Sequence, residues 1–380
     1  MTQRSTAVDR DSGSGAPATQ ATERMHESNA ITILCYEDEI PSFVEVELER
    51  LYGNLYSSIP QLHVGGKLGQ ASTYVVRKGR EIITVFLFRV HGRMLEVLNQ
   101  VIRIEPEEVE RFTEYVFSAL GSIDVVSFRG IQTEIDAIAL KIQRFECLED
   151  IVVSLPGTAE DYTARLGRST RKNLRYYKKT LMHAFPSFEF SVYEKEAVEP
   201  RHILEIIELN RARMSVKSKV SAIDEAETAR LIYLARARGL VGVVTIDGRI
   251  CAGAITSCVG RNYFLSVLAH DPAYDAYRLG NQCCYLTICE CIRRAGKEFH
   301  FLWGQYDYKY LFLGVQRDLY QLAVYRSRCH FVLNAATASR IAFRGYVRRA
   351  KLWARRDTAV SRLANKVFNS IKSLRKTWEK

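Results

Sequence analysis

Long apolar runs are missing from this sequence. None approaches the ~18 to 20 residues that a membrane-spanning helix needs. The segment Met1–Ala30 also lacks the apolar core of a signal peptide and contains no aromatic residue, and its Ser/Thr/Ala/Gly-rich composition predicts disorder. These absences argue against integral membrane and secreted classes, so we expect a cytoplasmic protein.

Recognisable metal and nucleophile motifs are missing as well. The chain has nine cysteines, and four of them, Cys283, Cys284, Cys289 and Cys291, fall on one predicted helix rather than in a metal-ligand spacing. We therefore predict small buried apolar side chains, a reducing compartment and no bound metal. No Ser-His-Asp order, zinc spacing or nucleotide-triphosphate loop is present in the sequence.

Positive charge is concentrated at the carboxyl end. The formal net charge is +11, and residues 335–380 hold 13 Lys/Arg and two acids, which leaves 41 basic and 41 acidic side chains elsewhere. Apolar residues recur there at steps of three and four: Phe343, Tyr346, Val347, Ala350 and Trp353, then Val360, Leu363, Val367, Ile371, Leu374 and Trp378. This pattern predicts a basic amphipathic helical tail that binds an anionic membrane at its cytoplasmic face. Packing of the stripe on the body or a partner is the alternative.

The second half of the chain carries the clearest order of elements. Three strands are predicted at Val241–Ile246, Arg249–Val259 and Asn262–Leu268, separated by glycine turns. A helix from Gly280 to about Gly296 and a strand at Phe299–Trp303 follow. An antiparallel meander followed by a helix and a further strand is therefore expected.

The first half repeats that order. Its predicted elements are the strands Ala71–Lys78, Glu81–Val90 and Met94–Val101, the helix Glu107–Leu120 and the strand Ile123–Phe128. We predict an α/β (α+β) fold of tandem units, each a mixed, mostly antiparallel sheet flanked by helices. The expected boundaries are residues 1–30 (disordered), 31–155 (first half), 156–240 (basic connector and helices), 241–334 (second half) and 335–380 (helical tail).

The two halves differ at the start of the helix. The second half has Arg278-Leu279-Gly280, where unpaired N–H groups, a glycine and a full positive charge suit a phosphate. The first has Glu105-Pro106-Glu107-Glu108, whose carboxylates repel an anion. We expect only the second half to bind an anionic ligand.

Three stretches resemble the GNAT acyltransferase superfamily, and most closely its CelD-like branch, which is associated with cellulose and exopolysaccharide synthesis and related to Fem-type peptidyltransferases. They are Arg168-Ser169-Thr170-Arg171-Lys172-Asn173-Leu174-Arg175, the Tyr277–Gly280 turn, and Gly304 to Gly314 with Asp307-Tyr308-Lys309. The resemblance spans roughly Ser42 to Arg328. It implies acetyl-CoA, or another acyl-CoA, as co-substrate.

By this resemblance, the pantetheine lies in the gap between Phe264–Leu268 and Phe299–Trp303. The implied cofactor-binding residues are Val267, Leu268, Tyr277, Arg278, Leu279, Gly280 and Asn281. The basic helix predicted at Ser169–Ala184 offers Arg171, Lys172 and Arg175 to an anionic acceptor or to cofactor phosphates, although a solvated helix face explains the same charges.

Acyl transfer needs a base for the acceptor and a stabiliser for the oxyanion. His270 and Asp307 are the candidate bases, and Tyr308 is a candidate proton donor for the leaving thiolate. Lys309 matches the lysine of the family's loop and is a candidate for holding the oxyanion or an acceptor phosphate. Solvated, salt-bridged or packing roles compete for each of the four.

Three functions follow. The first is acyl transfer from acyl-CoA to an amine or hydroxyl of an envelope sugar, lipid-linked intermediate or amino compound. The second is Fem-like transfer from aminoacyl-tRNA, and the third is a catalytically degenerate membrane-bound accessory of a polysaccharide synthase.

Overall fold

The computed structural model describes residues 30–356, which form two compact units. Unit 1 contains residues 30–89, 98–102 and 149–317, and unit 2 contains residues 90–97, 103–148 and 318–356. The disorder prediction for the amino end and the apolar stripe from Val360 onward lie outside the described residues. Within residues 30–356, no helix combines the length and apolarity needed to cross a bilayer.

The amino-terminal part of unit 1 is a small antiparallel sheet with two helices. It comprises β1 (Ile31–Tyr36), α1 (Val44–Tyr52), α2 (Ile59–Val64), β2 (Ser72–Lys78) and β3 (Glu81–His91). β2 pairs with β1 on one side and with β3 on the other. Apolar residues from these elements, including Val44, Leu48 and Val75, form one buried cluster. β1, α1 and α2 were not predicted from the sequence.

Helices occupy the middle of the chain. They are α3 (Pro106–Ala119) in unit 2, followed in unit 1 by α4 (Ala159–Arg165), α5 (Arg168–Ala184), α6 (Pro200–Val216) and α7 (Glu225–Arg238). α6 packs on the larger sheet of unit 1, where Ile206 fills the space above Gly253. A β-carbon at Gly253 would lie 2.3 Å from Ile206 Cγ1, so the close approach of this helix requires the glycine.

The larger sheet of unit 1 has the strand order β6-β11-β10-β9-β8-β7. Its strands are the part of β6 (Lys141–Ser154) from Glu149 onward, β7 (Glu189–Glu194), β8 (Gly239–Ile246), β9 (Arg249–Val259), β10 (Asn262–His270) and β11 (Glu298–His300). Neighbours are antiparallel except β10 and β11, which are parallel. Helix α8 (Leu279–Arg293) connects those two strands, and α9 (Asp307–Leu311) follows β11.

Helix α8 buries its cysteines, as predicted. Cys283, Cys284, Cys289 and Cys291 are free thiols with little or no exposure, and they belong to the apolar cluster between α8 and the sheet. Burial raises the pKa of the Cys283 thiol to about 12, so this thiol stays neutral. These thiols therefore serve as apolar packing groups.

Unit 2 contains β4 (Met94–Val97), β5 (Val125–Ile131), most of β12 (Val315–Tyr325), and the helices α10 (Arg328–Leu333) and α11 (Ala335–Arg356). β4 pairs with β5 in parallel, and β5 pairs with β12 antiparallel.

The predicted mixed α/β fold is confirmed, and the strand pairing repeats in the two halves of the chain. β10 and β11 form a parallel pair around α8, just as β4 and β5 form one around α3. The last strand of each half is exchanged. β6 follows the first half along the chain, but its second part pairs with β11 of the second half. β12 follows the second half and pairs with β5 of the first half. The boundaries drawn at residues 155 and 240 describe the order along the chain and remain predictions.

Two elements near the expected site differ from the sequence prediction. The strand expected at Phe299–Trp303 is only Glu298–His300, because the carbonyls of the next three residues turn toward Lys309. The expected loop around that lysine is the short helix α9.

Candidate functional site

The parallel strands β10 and β11 remain paired for only three residues. Asn262–Phe264 lies opposite Glu298–His300, whereas β10 continues to His270. A bulge shifts the register against β9 between Leu265 and Val267, which increases the local twist. The gap predicted between these strands therefore begins just after Phe264.

A cavity of about 670 Å³ lies at the end of β10 and the beginning of α8. Of the residues predicted for the site, it brings together Leu268, His270, Arg278, Gly280, Asn281 and Tyr308. Of the other cofactor candidates, Val267 and Leu279 are buried in apolar clusters. Tyr277 lies against Phe185, with ring centroids 5.3 Å apart.

Helix α6 also contributes to this cavity, which was not predicted from the sequence. Arg213, Val216 and Lys217, at the end of that helix, form part of the wall, as does Tyr177 of α5. Arg213 and Lys217 precede His270 by more than fifty positions in the chain, so no local motif links them to it. With Arg278, the cavity wall contains three cationic residues and a single carboxylate, that of Asp275. The balance favours an anionic ligand.

His270 is held by a hydrogen bond. Its Nε2 lies 2.6 Å from Oδ1 of Asp275, and the imidazole is largely buried. Burial lowers the pKa of His270, the hydrogen bond to Asp275 opposes this, and the charges of Arg213 and Lys217 lower the pKa further. The ring is therefore neutral near pH 7. Because a carboxylate only accepts hydrogen bonds, Nε2 carries the proton and Nδ1 the free lone pair.

Gly280 allows this histidine to approach the start of α8. A β-carbon at Gly280 would lie 2.5 Å from Nδ1 of His270, so any other residue would displace the ring. A glycine at position 280 is therefore explained by the packing of His270 as well as by the predicted approach of a phosphate. Arg278 caps the helix in the left-handed region with φ of 52°, and its carbonyl accepts from the N–H groups of Asn281 and Gln282.

Lys309 is buried, contrary to the behaviour expected of an oxyanion-binding or surface lysine. Its Nζ donates to the carbonyls of Phe301, Leu302 and Trp303 at 2.8, 3.1 and 2.5 Å. An ammonium group has three donors, so all of them are occupied. Burial lowers the pKa of Lys309 to about 8, against the opposing charges of Asp150 and Glu149. This geometry gives the lysine a structural task.

The two residues before Lys309 have different environments: Asp307 lies at the surface and Tyr308 lines the cavity. Asp307 is exposed in the first turn of α9, and the nearby Arg317 pairs with Glu298 at 2.6 Å rather than with Asp307. Tyr308 lines the cavity, and burial raises the pKa of its phenol. Of the four catalytic candidates, His270 and Tyr308 therefore share the cavity.

The candidate acceptor residues lie on α5 outside the cavity lining. Arg171 is half-buried and donates to the carbonyl of Ala164 at 2.9 Å, whereas Lys172 and Arg175 are exposed. Their binding role remains a prediction.

A buried charged cluster anchors β11 and was also missed. Nδ1 of His300 lies 2.7 Å from Asp150 Oδ2, and Nε2 lies 3.3 Å from Glu298. Although burial lowers the pKa of His300, the two carboxylates outweigh it, so the net shift is upward. The ring of Phe264 stacks on His300 at 4.3 Å between centroids. The cluster fixes the last paired residues before the gap.

Comparisons with known proteins agree with this geometry. Residues 168–310 match the model of the acetyltransferase (GNAT) domain family, and that segment contains every residue of the cavity wall. The fold is similar to the crystal structure of FemX, with a TM-score of 0.59 and 9% identity, covering 78% of this chain and 98% of that one.

A conserved protein of unknown function from Bacteroides thetaiotaomicron gives a TM-score of 0.51 and 13% identity, covering 76% of this chain and 99% of that one. No curated protein sequence matches the chain. The match of residues 168–310 to the domain family confirms the expected GNAT acetyltransferase fold.

Proposed function

With a GNAT acyltransferase domain as the premise, we propose that the chain transfers an acyl group from acyl-CoA, in the simplest case acetyl-CoA, to an amine or hydroxyl. The observation that carries the proposal is the cavity around His270. It places a neutral imidazole and a phenol beside cationic residues and a helix start. This combination suits an acceptor that loses a proton and a donor that carries phosphates.

The reaction can be assigned to residues of this cavity. Nδ1 of His270 takes the proton from the acceptor, whose nitrogen or oxygen then attacks the thioester carbon. As the carbon–sulfur bond breaks, Tyr308 supplies a proton to the thiolate, since its raised pKa keeps the phenol protonated. The backbone N–H groups near Val267 and Leu268 are the proposed donors to the oxyanion.

The donor phosphates are assigned to the start of α8. Arg278 and the first N–H groups of that helix lie beside Arg213 and Lys217 in the cavity wall. Helix starts favour anions because their N–H groups lack intrahelical acceptors. No metal ion is needed in this scheme.

The acceptor is proposed to belong to the cell envelope, as a sugar or a lipid-linked intermediate used in exopolysaccharide or cellulose synthesis. This finer proposal rests on the sequence resemblance to the CelD-like branch. A cytoplasmic location at the inner membrane face would suit such an acceptor. Flanking genes for glycosyltransferases and polysaccharide export would support this setting, and an isolated resistance gene would argue against it.

Fem-like transfer from aminoacyl-tRNA is the second candidate. The similarity to FemX over 98% of that chain favours it, as does the basic helix α5, whose arginines and lysines suit RNA phosphates.

Calorimetry on the full chain separates these functions. Acetyl-CoA should bind with micromolar affinity, and Arg213→Gln with Lys217→Gln should weaken it at least tenfold, or about 1.4 kcal/mol. Arg211→Gln is the matched control, because this arginine pairs with Glu208 on the same helix and lies outside the cavity lining. Binding to aminoacyl-tRNA alone would favour the second candidate. Binding to neither would favour the accessory role.

A further inference from the structure

One face of helix α11 packs within unit 2. Ala338 and Ile341 belong to a buried cluster with Val125, Ala323 and Tyr325. Further along the helix, a β-carbon at Gly345 would lie 2.6 Å from the ring of Phe145, and Arg348 donates to Glu146 at 2.9 Å. The orientation of α11 about its own axis is therefore fixed over several turns.

The other face of α11 presents large apolar side chains to solvent. Phe343, Tyr346 and Trp353 are 69%, 60% and 63% exposed. At 100° per residue, these three and Ala350 fall within an arc of about 80°. We call this set the aromatic stripe. Exposed aromatics aligned over about three turns are unusual on a surface with no partner.

Basic residues border the aromatic stripe on both sides. Arg340 and Arg344 lie along one edge and Arg349 along the other, and all three are exposed. From Ala335 to Arg356 the sequence contains seven arginines and lysines and neither aspartate nor glutamate. The face thus combines an apolar centre with purely positive edges.

We propose that the aromatic stripe docks on an anionic lipid surface. Aromatic rings enter the headgroup region while flanking arginines meet lipid phosphates, so both parts of the face are used. A second copy of this face would bring positive edges together without a compensating acid. Nucleic acid would need the arginines and leave the aromatic stripe unexplained.

Vesicle sedimentation with the full chain tests the proposal. The chain should bind vesicles of phosphatidylglycerol and phosphatidylcholine, bind pure phosphatidylcholine weakly, and dissociate as salt rises. Replacing Arg340, Arg344 and Arg349 by Gln should lower the partition coefficient by about 100-fold. Phe343→Ser and Trp353→Ser should each lower it by about tenfold.

Matched controls lie elsewhere on the surface. Val46→Ser removes an apolar side chain that is 68% exposed on α1, and Arg211→Gln removes an exposed charge on α6; neither should change vesicle binding. Unchanged acetyl-CoA affinity or thermal unfolding would show that the variants are folded.

Three results would overturn the proposal. The first is failure of the full chain to bind anionic vesicles. The second is equal binding by the wild-type and triple-arginine variants. The third is a dimer that dissociates when Phe343 or Trp353 is replaced, which would assign the stripe to a second copy.

Discussion

His270, the last residue of β10, lines a cavity, whereas Lys309, on α9 after β11, is buried in the interior. Both residues were candidates for the same reaction. His270 keeps one nitrogen free, while Lys309 has all three donors occupied by carbonyls. The contrast shows that a titratable residue beside a predicted site is available for chemistry only if at least one of its donors or acceptors is not already hydrogen-bonded within the protein.

The largest expected effect is on stability. Lys309→Met leaves the carbonyls of Phe301 and Trp303 without their donor, which should lower the free energy of unfolding by about 3 kcal/mol. Urea denaturation measures the change, with the exposed Lys297→Met as the control. Wild-type stability combined with a turnover reduced 100-fold would instead return Lys309 to catalysis.

A change at His270 should act on the reaction instead. His270→Gln removes the proposed base and should lower turnover by about 100-fold or more, with the unfolding midpoint nearly unchanged. Release of CoA thiol in the presence of an acceptor measures the rate. Near-normal turnover would exclude the histidine as base and leave Asp307 as the remaining candidate.

Gly280→Ala tests whether the position of the ring matters. The new β-carbon would force the imidazole away from the start of α8 and from Asp275, so turnover should fall by about tenfold. The affinity for acetyl-CoA distinguishes the two explanations of this glycine. Lost affinity with normal turnover at saturation would assign it to the cofactor phosphates alone.

The smallest effect concerns pH. Asp275 raises the pKa of His270, so Asp275→Asn should lower it further below its ordinary value of 6.5. Because the base must be neutral to act, the acidic limb of the profile of kcat/KM should move to lower pH. Glu225→Gln, in the exposed first turn of α7, is the control. A limb that moves to higher pH would contradict the His270–Asp275 pairing.

The order of strands and helices in each half could be predicted because it depends on patterns between residues that are close in the sequence. Alternating apolar residues, turn glycines such as Gly248 and Gly260, and the helical spacing of the cysteines all act over a few residues. The start of α8 was also predicted to within one residue.

The partner exchange of β6 and β12 could not be predicted, because strand pairing between distant segments leaves no local pattern. The same applies to Arg213 and Lys217, whose positions on α6 look like those of any exposed basic residue. Lysine side chains are usually exposed, so the burial of Lys309 could not be expected from the sequence.

The discontinuous make-up of unit 1 has a consequence during synthesis. Its strands β1–β3 leave the ribosome early, but the unit is complete only at Arg317, which lies 228 residues after Arg89. At about 5 to 20 residues per second, that interval lasts roughly 10 to 45 seconds. During this time the amino-terminal segment lacks part of its final packing, and until Arg238 has been synthesised it also lacks the salt bridges of Glu45 and Glu49 to that residue. Nascent chains stalled before Arg317 should therefore be protease-sensitive.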